Sequence, residues 1–253
     1  GFREAGSHRI VDIAECPVLR EELFHIVGLL RAILTKISNK APVDVALTLT
    51  DQGVDCTLTG IHLDGLGPTE ALLDFAREHA LARLSLDQGY GGETLWEPEP
   101  VTVTVGGVAV AFPEQGFLQP TQDGEGILAR DARDFTEGAQ TIADLFAGLG
   151  TFAFQVANPA KVLAVEAARD AHLACKAAAN MRGVPVLALH RDLFRDPLTA
   201  AEISRFDCVL LDPPRAGARN QANMIAQSSV ARVVYISCNP QSWARDARRL
   251  ADG

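Results

Sequence analysis

Thr141-Ile142-Ala143-Asp144-Leu145-Phe146-Ala147-Gly148-Leu149-Gly150-Thr151 is an apolar run that ends in an acid and passes into a glycine turn. Such a run delivers the carboxyl end of a buried strand, and Gly148 and Gly150 let the backbone turn sharply against a ligand. Glu166 follows 22 residues after Asp144, closing a second apolar run, Val162-Leu163-Ala164-Val165. An acid there suits a ribose diol, because two acceptor oxygens face two hydroxyl donors. The three-glycine phosphate fingerprint is absent, which points away from a pyrophosphate cofactor and toward a nucleoside without phosphates. S-adenosylmethionine fits that description. A Gly-x-Gly turn alone would serve any tight strand-to-helix connection; the acid at this distance favours the ligand.

Two further strand ends carry reactive residue types. Phe206-Asp207-Cys208-Val209-Leu210-Leu211-Asp212-Pro213-Pro214-Arg215 ends in an acid and two prolines. Proline fixes φ and removes donors, so the chain after Asp212 is stiff, and as a strand exit it would wall a pocket. An aromatic after Asp-Pro-Pro would suggest methylation of an exocyclic amine; Arg215 stands there instead. Val233-Val234-Tyr235-Ile236-Ser237-Cys238-Asn239-Pro240 places a cysteine just past the next strand. Cys56, Cys175 and Cys208 lie within apolar elements and read as core, whereas Cys238 falls beside the cleft of Gly148 and Asp212 and can meet substrate as a nucleophile. A thiolate added to carbon 6 of uracil makes carbon 5 nucleophilic enough to take a methyl from a sulfonium.

The elements that must position these groups follow from periodicity. From Thr141 onward, strands (141–145, 161–165, 186–189, 207–211, 232–236) alternate with helices, including 167–181 stopped by Gly183. That is an α/β, Rossmann-like, doubly wound parallel sheet. Before it lie a helix over 18–37, a hairpin over 43–58 around Asp51-Gln52-Gly53, a helix over 68–80, and strands near 81–86, 93–96 and 101–111. A change of texture over 112–120 divides a mixed α+β domain, 1–112, from a methyl-transfer domain, 113–253. A helix over 121–133 opens the latter.

The 253 residues are 47% hydrophobic and 22% charged, with no apolar run long enough to span a membrane. Five scattered cysteines suit a reducing cytosol rather than a disulfide framework. A formal net charge of -9 argues against a uniformly basic nucleic-acid binder and leaves local patches, with Arg215 and Arg219 best placed for phosphates. His172 and His190 read as surface or strand-end residues. The expectation is a cytoplasmic monomer with no membrane partner.

The Asp144–Thr151 turn, Asp212–Arg215 and the string Ser237-Cys238-Asn239-Pro240-Gln241-Ser242-Trp243-Ala244-Arg245-Asp246 together resemble the bacterial RNA uracil-5-methyltransferase family. Phe117-Leu118-Gln119 fits as well, and Gly1–Cys16 resembles the family's central domain. The resemblance implies a class I methyltransferase whose Cys238 adds covalently to a uridine of structured RNA, not DNA. It places Gln119, Phe146, Thr151, Glu166, Asp192 and Asp212 around S-adenosylmethionine, with Glu166 on the ribose, Asp192 near the adenine and Asp212 near the methionine end or the uracil. Thr151 stands where the family carries asparagine, and Pro120 is unusual after Phe-x-Gln. In part of the family a cysteine placed like Cys16 completes a 4Fe-4S cluster, which favours 23S rRNA over tRNA as target.

The family's general base is a glutamate C-terminal to the nucleophile, expected beyond Gly253, as are the last two strands. The chain opens without methionine in mid-pattern, so an upstream segment, including the family's small RNA-binding barrel, is also expected. Asp246 is read as beginning or capping the last helix, not as the base. Two rivals stand beside this reading: a cysteine-independent amino-group methyltransferase built on Asp-Pro-Pro-Arg, and a non-catalytic RNA-binding module.

Overall fold

The computed structural model describes residues 2–4, 6–7, 9–38, 42–89 and 91–252. Residues 1, 5 and 8 of the Gly1–Cys16 stretch therefore lie outside the described residues, as does Gly253. The chain divides into two compact units, Gly1–Val101 and Thr102–Gly253. Among the described residues no helix is long and apolar enough to cross a membrane.

The first unit runs β1 (Phe2–Arg3), β2 (Ile10–Val11), α1 (Glu21–Ile37), β3 (Asp44–Thr50), β4 (Gly53–Thr59), α2 (Leu66–Glu78), β5 (Arg83–Asp87) and β6 (Gly92–Trp96). Its four-stranded sheet has the order β3-β4-β5-β6, antiparallel except for the parallel β4–β5 pair that α2 connects. One face of each strand meets the helices. Leu23, Ile26 and Leu30 of α1 and Leu72 and Phe75 of α2 pack with Cys56, Leu58, Leu84 and Leu86. Burying each such side chain contributes about 1.5–3 kcal/mol. Asp55 and Arg83, directly opposite on the parallel pair, form a buried two-pronged ion pair at 2.9 and 2.8 Å.

The second unit begins with the hairpin β7 (Thr102–Val105) and β8 (Val108–Ala111). Its turn residues Gly106 and Gly107 both take positive φ, and a Cβ on Gly106 would fall 2.6 Å from the Phe154 carbonyl oxygen, so only glycine fits. Then follow α3 (Gln122–Thr136), β9 (Thr141–Leu145), α4 (Ala153–Val156), β10 (Lys161–Glu166), α5 (Arg169–Arg182), β11 (Val186–His190), α6 (Ala200–Ile203), β12 (Cys208–Leu211), α7 (Arg219–Ala226), β13 (Arg232–Tyr235) and α8 (Pro240–Ala251). The hairpin is tied to α5, where Arg182 donates to the Gly107 carbonyl at 3.2 Å. It therefore groups with the second unit, although the change of sequence texture comes later, over 112–120.

The sheet order β11-β10-β9-β12-β13 is parallel throughout. The chain winds outward from β9 through β10 to β11, then returns to the other side of β9 for β12 and β13. This reversal opens a crevice at the carboxyl ends of β9 and β12. Helices cover both faces, which is why β12 is an apolar, fully buried run and β9 is buried from Ile142 onward. Gly183 ends α5 in the left-handed conformation, as its position in the sequence indicates.

Candidate active site at the carboxyl ends of the parallel strands

A cavity of about 740 Å³ opens at this reversal, lined by residues from each strand end of the sheet. Gln119, Phe146, Glu166, Asp212 and Cys238 all line it, so the structure brings together five of the residues singled out by sequence. Thr151 and Asp192 are not among its lining residues. Thr151 sits farther along the turn, where Gly148 and Leu149 reach the cavity instead.

The turn after β9 is built for close approach. Phe146 adopts φ +63°, a left-handed conformation that costs a non-glycine residue energy. Its ring meets Phe194 at 5.4 Å between centroids. Gly150 takes φ +88°, and a Cβ there would strike the Phe154 ring at 2.7 Å and the Cys175 sulfur at 2.9 Å. Gly148 donates its N–H to Glu166 Oε2 at 2.8 Å, while Glu166 Oε1 accepts the Ala168 N–H at 2.6 Å. These two bonds lock the Glu166 carboxylate at the end of β10, and the remaining lone pair of each oxygen is available to a ligand.

Two further acids end strands here, Asp212 at the cavity and Asp144 behind it. Asp144 is fully buried, and neither of its oxygens has a hydrogen-bond partner among the described residues. Burial, then the charges of Asp212 and Glu166, hold its carboxyl well above the usual range; the Ala153 N–H opposes this without completing a hydrogen bond. Asp212 is likewise pushed up by burial, to about 6, against the opposing hydrogen bond from Gln119 Nε2 at 2.9 Å.

Because this folded value lies above the ordinary 3.8, the Asp212 contribution to stability is fully present below pH 3.8 and is lost as pH rises through 6. Asp212→Asn keeps an acceptor for Gln119 and removes the buried charge. It is expected to stabilise the fold by about 1–2 kcal/mol at pH 7.5, a few degrees in melting temperature, with the gain gone by pH 4. Thermal melts at the two pH values check this; an unchanged or lowered melting point at pH 7.5 contradicts it.

Cys238 is exposed, three residues past β13, in a turn fixed from both sides. Asn239 caps α8 by accepting the Gln241 N–H at 3.1 Å, and its amide donates to the Arg215 carbonyl at 2.8 Å, tying the Cys238 turn to the Asp-Pro-Pro-Arg wall. Asp246 neither begins nor caps that helix. It lies inside α8, fully buried, and accepts from the Ala218 N–H (2.7 Å), the Tyr235 hydroxyl (2.9 Å) and Arg245 Nε (2.7 Å). Burial alone would raise its carboxyl, but these donors outweigh it and hold it below the usual range. Arg215 lines the cavity; Arg219, at the start of α7, does not.

The residues present do not fit an iron–sulfur cluster by themselves. Among the described residues no group of three or more His, Cys, Asp or Glu is placed to hold a metal ion. Cys16 offers a single thiol, which accepts the Leu19 N–H at 3.4 Å, and a 4Fe-4S cluster takes four cysteines.

The sequence profile of the tRNA (uracil-5-)-methyltransferase family matches residues 93–253. The chain belongs to this family. An RNA methyltransferase of Zymomonas mobilis is 47% identical over 253 residues, all of this chain and 64% of that protein. The 23S rRNA (uracil(1939)-C(5))-methyltransferase RlmD of Pectobacterium carotovorum is 33% identical across 99% of this chain and 57% of its own length. The chain thus spans somewhat less than two thirds of these relatives. Among solved structures, the Pyrococcus abyssi tRNA (uracil-54, C5)-methyltransferase in complex with S-adenosyl-L-homocysteine superposes with a TM-score of 0.74, at 22% identity, over 99% of this chain and 66% of that one. That likeness establishes the class I methyltransferase fold.

Several lining residues of this family member carry no chemical signature in the sequence. Pro113 to Phe117, Ala168 to Ala171, and Leu193 with Phe194 belong to loops or to the first turn of α5. Asp192 was legible as an acid after a strand, but its Oδ1 accepts the Phe194 N–H at 2.9 Å, so it shapes the turn that carries those apolar neighbours.

Proposed function

We propose that this chain methylates carbon 5 of a uridine in structured RNA, with S-adenosylmethionine as methyl donor and Cys238 as covalent nucleophile. The observation that carries this is the convergence of Cys238, Asp212, Gln119 and Glu166 on one cavity. An amino-group methyltransferase has no need of an exposed thiol there, and Arg215 replaces the aromatic it would use.

The cavity suits the donor. Glu166, held by the Gly148 and Ala168 amides, would accept from the ribose hydroxyls, and Phe146, Leu193 and Phe194 offer an apolar surface for the base. Asp212, which lines the cavity, would give the methionine end a negative charge suited to a cation. When bound, S-adenosylmethionine supplies an electrophilic methyl on a sulfonium.

The chain's residues supply the rest. The Cys238 thiolate adds to carbon 6 of the uracil, forming a C–S bond and moving the C5=C6 electron pair into an enolate on the carbonyl at carbon 4. Carbon 5, now nucleophilic, would take the methyl as the methyl–sulfur bond breaks, its electron pair staying with the departing S-adenosylhomocysteine. Its proton then leaves to a base, the C5=C6 bond re-forms and the thiolate departs. Asp246 is not that base, since it is buried among three donors. Arg215, which lines the cavity, would hold a phosphate of the extruded nucleotide. The Gly1–Val101 unit would contact RNA, with rRNA favoured over tRNA.

The test is transfer of labelled methyl from S-adenosylmethionine to RNA, followed by nucleoside analysis that counts both free 5-methyluridine and protein-linked product. Label on uridine carbon 5 is expected. Label on an exocyclic amine, undiminished in Cys238→Ala, would overturn the proposal.

A further inference from the structure

Residues 192–199 follow β11 without helix or strand, yet they form one wall of the cavity through Leu193 and Phe194. A segment of this kind is ordinarily mobile, because ordering it costs backbone entropy at every residue. Here it is held from three sides. Arg191 donates through Nε to the Asp196 carbonyl at 2.8 Å and through Nη2 to the Pro197 carbonyl at 2.9 Å and the Asp196 carboxylate at 3.1 Å. Its Nη1 reaches Glu202 at 2.8 Å, and Glu202 also closes the capping box with Thr199 that starts α6. From α7, Gln221 both donates to and accepts from the Leu198 backbone, at 3.1 and 2.9 Å, and Asn220 donates to the Phe194 carbonyl at 3.1 Å. The Arg191 backbone in turn extends the ladder, its N–H donating to the Glu166 carbonyl at 3.0 Å.

We propose that Arg191 is a positioning residue for the methyl donor. Its guanidinium clasp holds the 192–199 loop so that Leu193 and Phe194, with Phe146, form a fixed wall that selects the purine base. This rests on the reading of the cavity as the S-adenosylmethionine site. The Arg191 backbone meets the end of β10, where Glu166 would hold the ribose, while its side chain holds the loop that carries the wall for the base, so the clasp fixes that wall relative to the ribose site. Lysine cannot replace it: a point-charge ammonium can meet Glu202 but cannot also span the Asp196 and Pro197 carbonyls.

Calorimetric titration with S-adenosylhomocysteine and with its analogue carrying hypoxanthine in place of adenine tests this, on the wild-type chain, Arg191→Met and Arg191→Lys. Amide hydrogen exchange of the 192–199 segment is followed in parallel. Arg191→Met is expected to bind S-adenosylhomocysteine about tenfold more weakly. It should also lose part of the wild-type preference between the two bases, with faster exchange confined to the loop; Arg191→Lys should recover little. Asn220→Ala, an exposed position bonded to the same loop, should move both readouts the same way by less, and it serves if Arg191→Met fails to fold. Equal binding by Arg191→Met overturns the clasp, as does weakening of both ligands with an unchanged ratio, which is what a merely structural arginine would give. No binding of either ligand by the wild-type chain would instead overturn the cofactor reading on which the clasp rests.

Discussion

Glu166→Ala is expected to weaken S-adenosylhomocysteine binding by about a hundredfold or more. The Glu166 carboxylate is immobilised by the Gly148 and Ala168 amides at 2.8 and 2.6 Å, so no side-chain entropy is lost when a ribose diol arrives. Hydrogen bonds to a charged group are worth about 1.5–3 kcal/mol each, and two of them span two or more orders of magnitude in affinity. The alanine also frees the Gly148 N–H and loosens the glycine turn beneath Phe146. Glu166→Gln tests the charge separately, because its amide nitrogen would face one of the two backbone donors and one bond would be lost. Calorimetry with S-adenosylhomocysteine reads the effect, and Cys238→Ala should bind like the wild type. Affinity within about threefold of wild type for Glu166→Ala would remove the carboxylate from the donor site.

The second large effect is on stability. Asp246→Ala should destabilise the second unit by about 3–5 kcal/mol, the range for deleting one partner of a buried charged network. The carboxylate ties three elements together, through the Ala218 amide before α7, the Tyr235 hydroxyl at the end of β13, and Arg245 within α8. Removing it strands all three donors, of which the Ala218 amide is buried. Gly217, at φ +78°, leaves room for this contact; a Cβ there would lie 2.5 Å from both Asp246 Oδ2 and Arg245 Nη2. The pH dependence has a definite sign. The Asp246 carboxyl is depressed in the fold, so its stabilisation is present above the unfolded value of 3.8 and is lost as pH falls through the lower folded value. Urea denaturation at pH 7 and at a pH below 3.8 checks both statements. A loss under 1 kcal/mol at pH 7 would show that the network does not hold the Cys238 turn.

What the sequence discloses and what it conceals divide along physical lines. The strand ends were legible because a buried parallel strand must be continuously apolar and a cavity-facing acid ends it, as at Glu166 and Asp212. Gly183 and the Asp51-Gln52-Gly53 turn were legible because local backbone conformation demands them. The loop of Leu193 and Phe194 was not, since its order comes from Arg191, Asn220 and Gln221, whose bonds to it depend on α6 and α7 folding back. The role of Asp246 was hidden for the same reason: Ala218 lies 28 residues away in sequence, and the Ala-Arg-Asp string suggests a helix start that Asn239 in fact provides. Thr151 lies two residues past Leu149, and Asp192 lies between the lining residues Arg191 and Leu193, so which side chain of a turn meets the cavity is set by backbone geometry that residue type does not disclose.

The most direct test of the central claim is a denaturing-gel shift of this chain with RNA containing 5-fluorouridine in the presence of S-adenosylmethionine. Fluorine at carbon 5 cannot leave as a proton, so the methylated adduct is trapped without any need for a general base. The account predicts a cofactor-dependent, slowly migrating protein–RNA species that is absent in Cys238→Ala and retained in Cys208→Ala. A species that persists in Cys238→Ala, or methylation of uridine carbon 5 with no adduct at Cys238, would contradict it.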